Sequence, residues 1–293
     1  MWTGTFPALA TPFSGGTVDE PALRRLVRHV VDRGVEGVVA CGTTGEAPTL
    51  TADEWALVVR VSVEESRGRP VIAGSGTNNT RASIERTRRA RELGAAAALV
   101  VAPYYNKPTQ RGLVAHFTAI SAEGGLPVIL YNIPGRTGVN MVPETICALS
   151  RVPGIVGVKE AAGSMDQVGA ILAGAAAGFA VLSGDDSLCL PMYALGAHGV
   201  ISTTATAAPE LMGGMYRDFR DGKVAEARAA HYRLLPLFRA LFAETNPAPL
   251  KYALSKMGLG ANELRLPLVP VTEATERMLD QALESCGLVG GAS

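Results

Sequence analysis

The chain has 293 residues, 47% of them hydrophobic and 18% charged, the balance of an ordinary globular protein. Lysine plus arginine and aspartate plus glutamate both number 27, so the formal net charge is zero. With no basic surplus, nucleic acid and anionic membrane surfaces drop out as expected partners.

The opening stretch "MWTGTFPALATPF" lacks the basic n-region of a secretory signal, and within it "TFPALA" (5–10) reads as a first strand. "TPFSGG" follows in place of a GxGxxG phosphate turn. Next comes "EPALRRLVRHVVDRG", an amphipathic helix with a glycine expected at its C-cap. The second strand is "EGVVAC" (36–41), followed by "GTTGE". "TADEW" (51–55) then opens a helix, with Thr51 as N-cap and Glu54 three residues on, a capping box. "PVIAG" (70–74), the helix "RASIERTRRARELG", also glycine-closed, and the strands "AALVVA" (97–102), "PVILYN" (127–132) and "GIVGVK" (154–159) continue the alternation. The uncharged run 168–184 has nearly the length of a membrane span, but it is mostly alanine and glycine. It reads as a helix end entering the strand "FAVLSG" (179–184). "HGVIS" (198–202) is the eighth strand.

Strands that are apolar throughout, rather than alternating, are buried on both faces, as in a parallel sheet. Eight strand–helix units are the count of a TIM (β/α)8 barrel, an α/β fold. A doubly wound sheet rarely repeats eight times and carries its phosphate turn after the first strand. The expected organisation is a barrel over residues 1–222, with "KVAEARAAHYRLLPLFRALF" opening a C-terminal helical extension over 223–293. The four cysteines (Cys41, Cys147, Cys189, Cys286) are scattered without a CxxC, which suggests reduced thiols and a cytoplasmic location. The four histidines show no metal-ligand spacing, and "AGSGTNN" has no Walker lysine. No metal or nucleotide cofactor is expected.

Active sites of TIM barrels lie at the C-terminal ends of the strands. The second strand leads into Thr43 and Thr44, the fourth into Tyr104 and Tyr105, and the seventh into "SGDD". The fifth ends on Tyr131 within "YNIPGRTG", the sixth on Lys159 and the eighth on Ile201-Ser202. A lysine at a strand end can snorkel to solvent. Ringed by phenols and hydroxyls at a barrel mouth, Lys159 reads instead as a desolvated amine with a lowered pKa, nucleophilic toward a carbonyl carbon. Tyr131 is either core filling or a proton carrier one strand away from that amine. Tyr104 and Tyr105 are consecutive, so one is free for a proton relay while the other packs or lines the entrance. Thr43 and Thr44 are turn residues or a small anion nest. Arg136, in a loop held by Pro134 and Gly135, is a solvated arginine or a fork for a carboxylate. The Asp185-Asp186 pair reads as an N-cap on the next helix.

"GTTGEAPTL", "PYYNKPTQRGL", "YNIPGRTG", "GVKEAAG", "LSGDD" and "GAHGVIS", with "ETNPAPLKYAL" and "LRLPLVPVT" in the tail, resemble the dihydrodipicolinate synthase family. That family sits within the pyruvate-dependent class I aldolase and N-acetylneuraminate lyase superfamily, and the resemblance covers essentially the whole chain. It implies a lyase in which Lys159 forms an imine with pyruvate, whose enamine then adds to L-aspartate 4-semialdehyde. The product is 4-hydroxy-tetrahydrodipicolinate, the heterocycle on the way to diaminopimelate and lysine. By position in the motifs, Tyr131 carries protons, relayed through Thr44 to Tyr105, which the family draws from a neighbouring subunit of a homotetramer built from tight dimers. Thr43, with Thr44, Gly184 and Ile201, holds pyruvate, and Arg136 binds the aldehyde's carboxylate. No cofactor is implied beyond the covalent pyruvate imine. The alternatives are a relative acting on sialic acid or keto-deoxy sugar acids, and a non-catalytic paralogue that binds a keto acid.

One departure stands out. Lysine-inhibited members carry polar or charged side chains in the helix after "GTTGE" and an acidic residue after the third strand. This chain has Ala47, Pro48, Ala52, Trp55 and Ala82 there, although Asn78 and Tyr104 match. Weak or absent inhibition by L-lysine is therefore expected.

Overall fold

A computed structural model describes residues 2–290. Eight parallel strands follow one another along the chain: β1 (Gly4–Pro7), β2 (Val38–Ala40), β3 (Val71–Gly74), β4 (Ala97–Val101), β5 (Val128–Asn132), β6 (Ile155–Glu160), β7 (Ala180–Ser183) and β8 (Gly199–Ser202). All eight coincide with predicted runs. They share one sheet in the order β1-β8-β7-β6-β5-β4-β3-β2. A parallel bridge from Ala8, just past β1, to Val39 of β2 joins the two ends of that order, supported by Leu9 N–H donating to Val39 O at 2.9 Å. The sheet thus closes on itself as a TIM (β/α)8 barrel.

The chain divides into two compact units, one of Pro70–Ile201 with the chain start through Gly4, the other of Thr5–Arg69 with the chain from Ser202 onward. In the first, Ile72, Ala98, Val100, Ile129, Leu130 and Val158 are fully buried, as apolar strands covered on both faces require. Parallel registers pair Val101 with Tyr131, Tyr131 with Lys159 and Lys159 with Leu182. Gly157 makes the last of these pairings possible: a Cβ there would stand 2.7 Å from Ala180 O, too close for any other residue. The helix Met165–Gly174 ends before β7, so the run 168–184 is a helix end and a strand, as read.

In the second unit an antiparallel hairpin, Phe13–Ser14 with Thr17–Val18, follows β1. The C-terminal extension is helical, with Val224–Leu241, Ala248–Lys256 and Glu273–Cys286 as its elements. Thr51 and Glu54 form the expected capping box on the helix Ala52–Glu65.

Three local readings need correcting. The helices Glu20–Val31 and Thr80–Glu92 end on Asp32 and Leu93 as C-caps. Gly34 and Gly94 stand beyond them with φ of +80° and +89°, in the left-handed conformation that closes a helix after its cap. The helix Cys189–Ala194 is entered through Leu188 without a side-chain cap. Asp185 holds a turn instead, its Oδ1 accepting from Ser187 N–H at 2.9 Å and Ser187 Oγ at 2.8 Å, because a short aspartate reaches the backbone two residues on. Arg136 lies not in an irregular loop but in a single helical turn, Pro134–Thr137, closed by Gly138 at φ +72°. Among the described residues no helix is long and apolar enough to cross a membrane.

Candidate active site

In β5 and β6 the parallel register sets Tyr131 opposite Lys159 and Asn132 opposite Glu160. Alternation along a strand puts the first pair on one face of the sheet and the second on the other. Lys159 is only 7% exposed and Tyr131 5%, and Lys159 Nζ lies 4.3 Å from the centroid of the Tyr131 ring. The amine does not snorkel; it is buried against an aromatic face, where a phenol can shield it from water. Gly184 gives it room. A Cβ at that position would come within 2.9 Å of Lys159 Cε and 3.0 Å of Cγ, while Gly184 N–H donates to Glu160 O at 2.7 Å.

On the opposite face, beyond apolar Leu130 and Val158, the strands end on a buried, hydrogen-bonded polar pair. Asn132 Nδ2 donates to both carboxylate oxygens of Glu160, at 3.1 and 3.3 Å, and to Asn140 Oδ1 at 2.8 Å. Glu160 also accepts from Ala162 N–H at 2.7 Å, and Asn140 Nδ2 donates to Gln167 Oε1 at 2.9 Å. Burial pushes the Glu160 carboxyl above its ordinary range, with the Asn132 hydrogen bond acting against that shift. Sequence reasoning missed this cluster. Its signal was a polar residue directly after each reactive one, in "YN" and "KE", where an apolar strand has no other reason to carry an amide and a carboxyl.

After β4, Tyr104 and Tyr105 are both exposed, the latter by 89%. Neither ring is packed away, which leaves of the two expected roles for the second tyrosine the one at the entrance. Tyr105 has φ of +70°, and Asn106 N–H donates back to Tyr104 O at 2.8 Å. Arg136 is exposed, and Ile201 is buried in β8.

In the other unit, β2 runs into the turn 42–46, in which Gly45 N–H donates to Gly42 O and Glu46 N–H to Thr43 O, both at 3.1 Å. Thr43 is half-buried and Thr44 buried. Thr44 Oγ1 accepts from Asn246 Nδ2 at 3.0 Å and lies 3.4 Å from Thr203 Oγ1. Glu46 has φ of +50°, and its buried carboxylate pairs with buried Lys251 and accepts from Arg265 N–H at 3.1 Å. Lys251 Nζ donates to Glu263 O at 2.8 Å and stands 3.9 Å from the Phe13 ring centroid. Burial lowers the Lys251 pKa, with Glu46 acting against the shift. Arg265 stacks on the same ring at 4.3 Å and binds Glu54, whose pKa it holds down at about 2. This ion pair was also missed; its trace is one lysine in the otherwise apolar "PLKYAL".

The structure therefore brings Lys159, Tyr131 and Gly184 together in one unit, and in the other sets Thr43 and Thr44 on a turn gripped by buried polar contacts. A buried primary amine against a phenol offers a nucleophile for a carbonyl carbon and a group able to carry its protons. No group of three His, Cys, Asp or Glu side chains able to hold a metal occurs among the described residues.

A (β/α)8 barrel carrying a buried lysine in its sixth strand, packed on a tyrosine of its fifth, is the class these features define. The chain belongs to the dihydrodipicolinate synthetase family, whose model matches residues 1–286. It is 48% identical to 4-hydroxy-tetrahydrodipicolinate synthase of Maridesulfovibrio salexigens, over 98% of this chain and 99% of that one. Dihydrodipicolinate synthase from Thermotoga maritima superposes with a TM-score of 0.97 at 41% identity, covering 99% of this chain and 100% of that one. The chloride-inhibited dihydrodipicolinate synthase from Acinetobacter baumannii, solved with pyruvate, gives 0.96 at 41% identity with the same coverage.

Proposed function

We propose that the chain is a lyase that condenses pyruvate with L-aspartate 4-semialdehyde to 4-hydroxy-tetrahydrodipicolinate, on the route to diaminopimelate and lysine. The observation that carries this reading is the buried Lys159 amine against the Tyr131 ring. Lys159 Nζ adds to the ketone carbon of pyruvate and water leaves, giving an imine. Loss of a methyl proton gives the enamine, whose carbon adds to the aldehyde. The amino group of the second substrate then attacks the imine carbon, closing the ring and releasing Lys159 as the free amine. Tyr131 carries the protons, with Thr44 and Tyr105 as the rest of the relay. Thr43, with Thr44, Gly184 and Ile201, holds pyruvate, and Arg136 takes the carboxylate of the aldehyde through its planar fork.

The exposed Tyr105 suits a side chain offered to a neighbouring copy of the chain, and the working form in this reading is a homotetramer of tight dimers in the cytoplasm. Catalysis needs no cofactor beyond the covalent pyruvate imine. In this reading residues 1–222 form the catalytic barrel and 223–293 the helical domain, residues 1 and 291–293 of these ranges lying outside the described residues. A coupled assay of pyruvate with a panel of aldehydes tests the assignment. Turnover with L-aspartate 4-semialdehyde is expected, and no cleavage of sialic acid or keto-deoxy sugar acids in a parallel assay of pyruvate release; the reverse pattern contradicts it.

L-lysine leaves turnover essentially unchanged in this reading. Its ammonium meets no carboxylate at Ala47, Pro48, Ala52, Trp55 or Ala82, and a buried charge without a partner costs several kcal/mol. An inhibition titration checks this, and a micromolar inhibition constant overturns it.

A further inference from the structure

The C-terminal segment grips the turn 42–46 at two points. Asn246, 5% exposed, donates its amide to Thr44 Oγ1 at 3.0 Å. One turn into the helix Ala248–Lys256, buried Lys251 pairs with Glu46, two residues beyond Thr44. Lys251 N–H bonds back to Pro247 O at 2.9 Å, so the two grips belong to one rigid piece of chain. A threonine hydroxyl has one proton and two lone pairs, and the NH2 of an asparagine only donates. The Asn246 contact therefore occupies a lone pair and turns the Thr44 proton away from Asn246. Among the described residues the other hydrogen-bonding neighbour of Thr44 Oγ1 is Thr203 Oγ1, at 3.4 Å, a long and weak contact.

We infer that Asn246 is a positioning residue for the reaction: its amide fixes the direction in which Thr44 presents its hydroxyl proton. The inference rests on the reading of Thr44 as a proton relay, and it gives the helical extension a share in catalysis. Replacing Asn246 with aspartate keeps the shape and changes a donor into an acceptor, so the Thr44 proton turns back toward residue 246.

Asn246→Asp lowers kcat on the order of 10- to 100-fold, a fraction of what a proton-transfer group contributes. The KM for pyruvate and the yield of borohydride-trapped imine on Lys159 stay at wild-type values. Asn246→Ala, which removes the donor without adding a buried carboxylate, lowers kcat in the same direction. In a Thr44→Val background neither substitution lowers kcat further. If both Asn246 variants keep wild-type kcat while Thr44→Val loses it, or if their losses add fully to that of Thr44→Val, the inference fails and the Thr44 reading stands. If Thr44→Val itself turns over normally, the Thr44 reading fails and takes the inference with it.

Discussion

Lys159→Ala loses turnover by on the order of 10⁴-fold or more, the scale on which removing a covalent nucleophile acts. Lys159 is buried against Tyr131 and wedged beside Gly184, and among the described residues no second lysine stands over that ring. Lys159→Arg is expected to fare no better, because a guanidinium keeps its proton and does not form imines. Truncation removes a buried amine rather than stranding a charge, so the variant folds, and a thermal melt alongside the steady-state assay separates lost chemistry from lost structure. Retention of more than a few per cent of wild-type turnover in a folded Lys159→Ala protein contradicts the assignment.

The second large effect is on stability. Lys251→Met keeps the length of the side chain but leaves the Glu46 carboxylate, fully buried in this fold, with the Arg265 N–H bond and without its lysine partner. Stranding one member of a buried ion pair costs about 3–5 kcal/mol, read as a fall of roughly 10 °C in melting temperature. The double variant Glu46→Gln with Lys251→Met removes the stranded charge and recovers most of that loss, since the pair is held at a large desolvation cost to begin with. A Lys251→Met protein that melts with the wild type, or a double variant that melts lower than the single one, sinks this account of the turn.

Much of this was legible along the chain because it is local. The eight strands declare themselves as nearly all-apolar runs, as a sheet covered on both faces requires. Thr51 and Glu54 announce a helix start within four residues. Lys159 is conspicuous because an amine closes the apolar run "GIVGV" with no polar residue before it. What stayed hidden depends on distant residues. Asn246 meets Thr44 across 202 positions, and nothing in "TNPAPLKYAL" says which turn its amide and lysine will face. The Asn132–Glu160 contact is set by the register of β5 on β6, which apolar patterning alone leaves open. Asp185 was misread as a helix cap because one geometry, a short carboxylate reaching a backbone N–H two or three residues on, serves turns and caps alike.

Sodium borohydride reduction in the presence of pyruvate, followed by peptide mass spectrometry, tests the central claim most directly. The account predicts a single reduced pyruvyl adduct, on the peptide that contains Lys159. An adduct on any other side chain, or none from an active preparation, contradicts it.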